Sequence, residues 1–203
     1  MTRILLASSS PRRRDLLARL GLVFDTAAPD IDESVRPGEP AHQYVRRLAA
    51  EKAAAVDAAA TTLIIAADTT VELDGRILGK PTDAAEATAM LRDLSARTHR
   101  VHTGVAVRLG ERTVVDAGTT MVTMTPLGES TIRWYVATGE PFDKAGAYAL
   151  QGAASVFVQQ IRGSVSNVVG LPLHIVARLA AELGVTVIGE RTERDDERDD
   201  ATG

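Results

Sequence analysis

Cysteine is absent from the 203 residues. That excludes a disulfide framework, a thiolate nucleophile and a thiolate metal site, so the chemistry falls to oxygen and nitrogen groups. Aromatic residues are scarce at 3%, and the net charge of −4 gives no basic surplus. A general nucleic-acid binder needs stacking aromatics or a basic face, so nucleic acid is not an expected partner. The negative charge is itself local, because residues 190–203 hold seven acids and three arginines and account for all of it. Any preference for an anion must come from a local cluster.

Long apolar runs are missing as well. No stretch approaches a membrane span, and the run from Met1 to Ala7 is too short for a signal-peptide core, so a cytoplasmic protein is expected. The four histidines, His42, His99, His102 and His174, lack metal-ligand spacing. Strand alternation puts His99 and His102 on opposite faces, which argues against a zinc hydrolase. No Gly-x-Ser-x-Gly elbow supports a serine hydrolase. Gly75 to Pro81 is not a P-loop, since it has one residue too few between the glycines and a proline where Ser or Thr should follow.

At 45% hydrophobic, the chain can bury one sizeable core or two small lobes. Residues 1–189 read as one domain. Residues 190–203 contain no apolar side chain but Ala201 and read as a disordered charged tail. Arg3 to Ala7 predicts a strand, and Pro11 to Leu20 a helix stopped by Gly21. Ala41 to about Ala60 reads as an alanine-rich helix, and Leu63 to Ala67 as a strand ending at Asp68. Asp74-Gly75 is a two-residue hairpin signal. A helix from about Asp83 to Ser95 has Thr82 or Asp83 to cap it. Strands follow over Arg100–Leu109, Thr113–Met124 and Ser155–Ile161, with helices over Glu129–Thr138 and Leu173–Leu183. The fold class is α/β, a mixed twisted sheet flanked by helices.

Four segments carry candidate chemistry. Ser10 suits a helix N-cap and Pro11 the first helical position, which puts Arg12, Arg13 and Arg14 at the positive end of the helix dipole. A phosphate bound there would turn an unfavourable placement into a favourable one, and Arg12 and Arg13 fit that reading, whereas Arg14 fits solvent. Lys52 shares an apolar stripe with Tyr44, Leu48 and Val56, so it either snorkels to the core rim or reaches into a cleft. Asp68 stands at the carboxyl end of its predicted strand, where α/β sheets gather ligands, although an aspartate there can also simply form a turn. Lys80 lies between Gly79 and Pro81 and reads either as a surface lysine or as a cation with room for close approach. Gln151 offers an acceptor and two donors that complement N3–H and O4 of uracil or thymine, or equally a backbone group.

The segments Leu6–Arg13, Ala66–Thr69, Gly79–Pro81 and Asp143–Tyr148, taken in order, resemble the signatures of the Maf family over Ile4 to about Leu183. The resemblance implies two lobes around a deep cleft, similar to inosine triphosphate pyrophosphatases. It also implies a metal-dependent activity that releases pyrophosphate from nucleoside triphosphates. By that resemblance Asp68 is the proton acceptor, with Asp68 and Glu33 as metal partners for Mg²⁺ or Mn²⁺. Ser10, Arg12, Arg13, Lys52 and Lys80 bind phosphate. Arg12, Thr69 and Gln151 set base preference, resembling the dTTP/UTP branch more than the branch acting on 7-methyl-GTP. Ser9 departs from the family pattern, standing where glycine is often found. The family often forms dimers, so a homodimer is an expected partner state. Two rival readings are a nucleotide-binding regulator of septum formation, which the retained Asp68 disfavours, and a house-cleaning pyrophosphatase for non-standard purines, which Gln151 disfavours.

Overall fold

The computed structural model describes residues 2–188; the predicted tail lies outside them. The first strand, β1 (Arg3–Ala7), runs into α1 (Pro11–Ala18), which Pro11 opens at its first position. A three-residue strand, β2 (Asp25–Ala27), precedes α2 (Ala41–Ala54). Two hairpins follow, the first short and the second long. β3 (Thr62–Leu73) turns into β4 (Arg76–Leu78), and β5 (Thr98–Leu109) into β6 (Arg112–Met124), with α3 (Ala84–Leu94) between the pairs. α4 (Glu129–Ala137), β7 (Val158–Arg162), α5 (Val165–Val169) and α6 (Leu173–Glu182) complete the order.

The strands form one mixed sheet in the order β2-β1-β3-β5-β6-β7, with β4 on β3. β1 pairs in parallel with β2 and β3, and the remaining pairs are antiparallel. The strands β3, β5 and β6 are long enough to carry separate cores along their length. At one end Leu63, Ile65, Val105 and Val107 pack against Leu16, Leu17, Val176 and Leu179 on one face. On the opposite face Ile64, Ala66 and Ala106 meet Ala49 and Ala53 of α2. At the other end Val71, Leu73, Val101 and Val122 pack against Leu91, Tyr135 and Phe157. Two lobes therefore share one sheet, in keeping with the α/β class and the two-lobed expectation.

α2 buries Ala41, Val45, Leu48, Ala49, Lys52 and Ala53, which recur at helical spacing on one face. Gly104 lets this helix approach the sheet. A Cβ there would stand 2.1 Å from the Val45 carbonyl oxygen, so even alanine would push the helix away. Truncating the fully buried Leu48 to alanine costs about 2–5 kcal/mol by lost burial and a cavity.

Three sequence expectations need correction, one being the strand expected from Ser155, which begins only at Val158 because Ala153–Phe157 form a 3₁₀ turn. The strand does not end at Asp68 but continues to Leu73, because Thr69 to Glu72 pair with β5 and Val71 to Leu73 pair with the short β4. The helix predicted to about Ala60 stops at Ala54. Beyond it the Val56 carbonyl accepts from the Arg108 side chain, and a turn from Ala59 to Thr62 leads into β3. Alanine propensity alone does not hold a helix against such tertiary bonds. The Asp74-Gly75 turn forms as expected, with φ of 52° and 80° at the two residues, the positive pair that a tight hairpin requires.

Candidate active site

β1 stops at Ala7, opposite Ala66, whereas β3 runs on. Asp68 thus lies just past the end of the parallel pairing, at the seam between the lobes. A cavity of about 690 Å³ opens there. Ser10, Arg12, Arg13, Glu33, Lys52, Asp68, Thr69, Lys80 and Gln151 all line it, so the structure brings every sequence-predicted site residue into one cleft.

At its centre Lys52, 7% exposed, directs its ammonium into the cleft. Nζ lies 2.6 Å from Asp68 Oδ1 and 2.6 Å from Glu33 Oε1. The lysine therefore reaches the site and does not snorkel to water. Asp68 sits on the α2 face of β3 because side chains alternate along the strand and Ile64 and Ala66 already pack on that helix. Glu33 comes from the loop between β2 and α2. That loop is pinned by Arg47, which donates to Glu39 through Nε and Nη2, each at 2.7 Å, and to the Ser34 carbonyl at 3.0 Å. Tyr44 donates its hydroxyl to the Glu33 carbonyl at 2.8 Å. Partial burial disfavours ionised Glu33, but the Lys52 hydrogen bond and the charges of Lys52, Lys80 and Arg13 outweigh it and hold the carboxyl below its usual range. Burial, reinforced by the charges of Asp68 and Glu33, pushes the Tyr44 phenol up. Lys80 is largely exposed, with Nζ 3.8 Å from Glu33 Oε2.

The opening of α1 forms a second wall. Ser10 takes the extended N-cap conformation, but its side chain makes no capping bond. Arg13 donates through Nε to the Gly170 carbonyl at 2.8 Å, through Nη2 to Thr69 Oγ1 at 3.1 Å and through Nη1 to Ser8 Oγ at 3.4 Å. Burial lowers its pKa, partly offset by Asp68. Arg12 is partly exposed, 3.7 Å from Asp143 Oδ2, and Arg14 is exposed, as expected of a side chain in water.

Apolar side chains complete the cleft lining, namely those of Val71, Val101, Tyr148, Ala149 and Leu150, with the exposed Gln151 among them. Ala147, just before Tyr148, is held at φ 60°, a conformation that costs an alanine about 1 kcal/mol. Tyr148 is fixed from behind by His99, whose Nε2 lies 2.7 Å from the phenol oxygen. Burial lowers the His99 pKa to about 4. His102 lies on the other face, bonded to Glu72 at 2.9 Å and to Thr119 at 2.9 Å, so the two rings separate as alternation predicts.

Ser8, Tyr44, Lys144 and Tyr148 also line the cleft, which their residue types alone do not reveal. Tyr44 was within reach, since it shares the Lys52 stripe at two turns' distance. Lys144 and Tyr148 lie in the Asp143–Tyr148 signature but gave no individual signal. Among the described residues, no cluster of three or more His, Asp or Glu side chains could hold a metal ion by itself. No helix among them is long and apolar enough to cross a membrane.

Residues 3–183 match the family described as Maf-like protein. A dTTP/UTP pyrophosphatase of Anaeromyxobacter dehalogenans (strain 2CP-C) is 53% identical over 186 residues, covering 90% of this chain and 94% of the relative. A dTTP/UTP pyrophosphatase of Chromobacterium violaceum is 51% identical over 189 residues, covering 90% and 96%. Among solved structures, the Staphylococcus aureus Ham1 protein is similar at 15% identity and a TM-score of 0.49, covering 90% of this chain and 98% of its own.

Proposed function

The chain belongs to the Maf family, and from that premise we propose that it hydrolyses nucleoside triphosphates, preferring dTTP and UTP, to a nucleoside monophosphate and pyrophosphate in the cytoplasm. The observation that carries this reading is the shared contact of Asp68 and Glu33 with Lys52 in a cleft also lined by Arg12, Arg13 and Lys80. Such a site offers cations for a triphosphate and a carboxylate for a water, and no nucleophilic side chain is needed. The relatives named dTTP/UTP pyrophosphatase support the substrate preference.

In this mechanism the phosphates lie between the N-terminus of α1 and the lysines, where backbone N–H groups and charge-assisted hydrogen bonds favour an anion. Arg13 is oriented by three hydrogen bonds, and Lys80, being exposed, adapts to the bound chain. Asp68 accepts the proton of the water that attacks the α-phosphorus, and the bond to the bridging oxygen breaks to release pyrophosphate. Holding the attacking water in line and offsetting phosphate charge are the main demands of phosphoryl-type transfer. Gln151 faces the base, where one acceptor and two donors match the edge of uracil or thymine.

Asp68 and Glu33 also suit a hard divalent cation. The two carboxylates, which meet at the Lys52 ammonium in this structure, would hold Mg²⁺ or Mn²⁺ together with the substrate phosphates. When bound, such an ion neutralises charge on the phosphates.

The test is hydrolysis of UTP and dTTP with Mg²⁺ in ¹⁸O-water. The reading expects UMP or dTMP carrying the label, with unlabelled pyrophosphate. Formation of UDP and phosphate, label in pyrophosphate, or binding without hydrolysis would overturn it.

A further inference from the structure

All three hydrogen bonds of Arg13 go to neutral oxygens. Its charge remains available to a phosphate, but its direction depends on how firmly those oxygens are held. Thr69 Oγ1 is one of them, and it lies 2.9 Å from Thr103 Oγ1 on the neighbouring strand. Thr103 in turn donates to the Asn167 carbonyl of α5 at 2.8 Å. A hydroxyl has one proton to give. Since that of Thr103 goes to Asn167, the proton between the two threonines belongs to Thr69, and the remaining lone pairs of Thr69 face Arg13. The bonds run in one sense: Arg13 to Thr69, Thr69 to Thr103, Thr103 to the backbone of α5.

α5 closes the arrangement from its other end. Its left-handed cap, Gly170, supplies the carbonyl that receives Arg13 Nε. A Cβ at Gly170 would stand 3.2 Å from Thr69 Oγ1 and 3.4 Å from Arg13 Nε, so glycine leaves room for this close approach. Asn167 is fully buried and is itself fixed by donating to the Val101 carbonyl at 2.9 Å and to Thr120 Oγ1 at 3.1 Å. A five-residue helix thus holds the guanidinium at two points.

We infer that Thr103, fully buried and outside the cleft lining, is a positioning residue that aims Arg13 at the substrate phosphates through Thr69. The inference rests on the phosphate-binding reading of the cleft. It also gives Thr69 a role distinct from reading the base, because its hydroxyl is engaged on both sides.

The test is the affinity for inorganic pyrophosphate by titration calorimetry, beside KM and kcat for UTP. Thr103→Val keeps the shape and removes the hydroxyl; Thr103→Ser keeps the hydroxyl. Thr103→Val should weaken pyrophosphate binding by about tenfold, the scale of one misdirected hydrogen bond to a charged group, and raise KM more than it lowers kcat. Thr103→Ser should retain near-parent affinity. In an Arg13→Lys background, Thr103→Val should cause no further loss, since the fork it aims is gone. Thr69→Val breaks the same chain one link nearer and should reproduce the loss if Thr103→Val does not fold. Parent affinity in Thr103→Val or Thr69→Val, or an equal loss in the Arg13→Lys background, would overturn the inference. A parent that binds pyrophosphate yet fails to hydrolyse UTP overturns the proposed activity while the positioning test stands; a parent that binds no pyrophosphate overturns both.

Discussion

Lys52 and Asp68 form a nearly buried ion pair, with Nζ 2.6 Å from Oδ1 and each side chain 9% exposed, and the lysine simultaneously holds the half-exposed Glu33. Two carboxylates on one ammonium make the lysine the hinge of both stability and chemistry. Lys52→Met leaves Asp68 buried without its partner and should destabilise the ligand-free protein by about 3–5 kcal/mol. It should also abolish most hydrolysis. Chemical denaturation beside pyrophosphate release checks both, and parent stability in the variant would show that the pair is not a structural element.

Lys80 is the contrasting case. Its side chain is 62% exposed and its partner Glu33 lies at 3.8 Å, a geometry worth little at a surface. Lys80→Ala should change ligand-free stability by less than about 0.5 kcal/mol, while raising KM for UTP or dTTP. A large drop in melting temperature with unchanged KM would make Lys80 a structural cation.

His99 gives stability a pH dependence of defined sign. Burial depresses its folded pKa to about 4 from an ordinary 6.5, so between those values the unfolded chain binds the extra proton. The contribution is complete above about pH 6.5 and is lost as pH falls toward 4, amounting to about 3 kcal/mol. His102 is shifted in the same direction by burial, so His99→Gln should reduce the acid sensitivity between pH 4 and 6.5 without removing it. Melting temperatures across that range decide the matter; an unchanged pH slope in the variant would contradict the assignment.

Gln151 is exposed and lines the cleft, with no contact to the Lys52–Asp68–Glu33 cluster. Gln151→Ala should therefore lower the ratio of kcat/KM for UTP or dTTP over CTP and the purine triphosphates more than it lowers turnover on the best substrate. An unchanged ratio would remove the residue from base recognition.

What the sequence made legible was local. The hairpin at Asp74-Gly75 and the cap at Asp83, which accepts from the Glu86 amide at 2.8 Å, follow from residue chemistry within a few positions. The arginines at the start of α1 were legible because they oppose the helix dipole there. Glu33 carried no signal of its own, since an acid in a loop gains meaning only when the loop folds back on Lys52. The break assumed at Asp68 arose because the burial partners change there, from one lobe to the other, while the backbone pairing continues. α5 and β2 were unread, being five and three residues long, too short for a periodic pattern. The Arg13 chain joins residues 13, 69, 103 and 167, and nothing in linear spacing relates them.

The central claim, that Asp68 prepares the attacking water, is tested most directly by the rate of pyrophosphate release from UTP or dTTP in Asp68→Asn. The change is isosteric and leaves Lys52 with Glu33 as its partner, so folding should survive. Loss of the proton acceptor should lower the rate by at least about a hundredfold, and by more where metal binding is also lost. Nucleotide binding should persist, because the cations of the cleft remain and one repelling charge is gone. Hydrolysis at near-parent rate in Asp68→Asn would contradict the account.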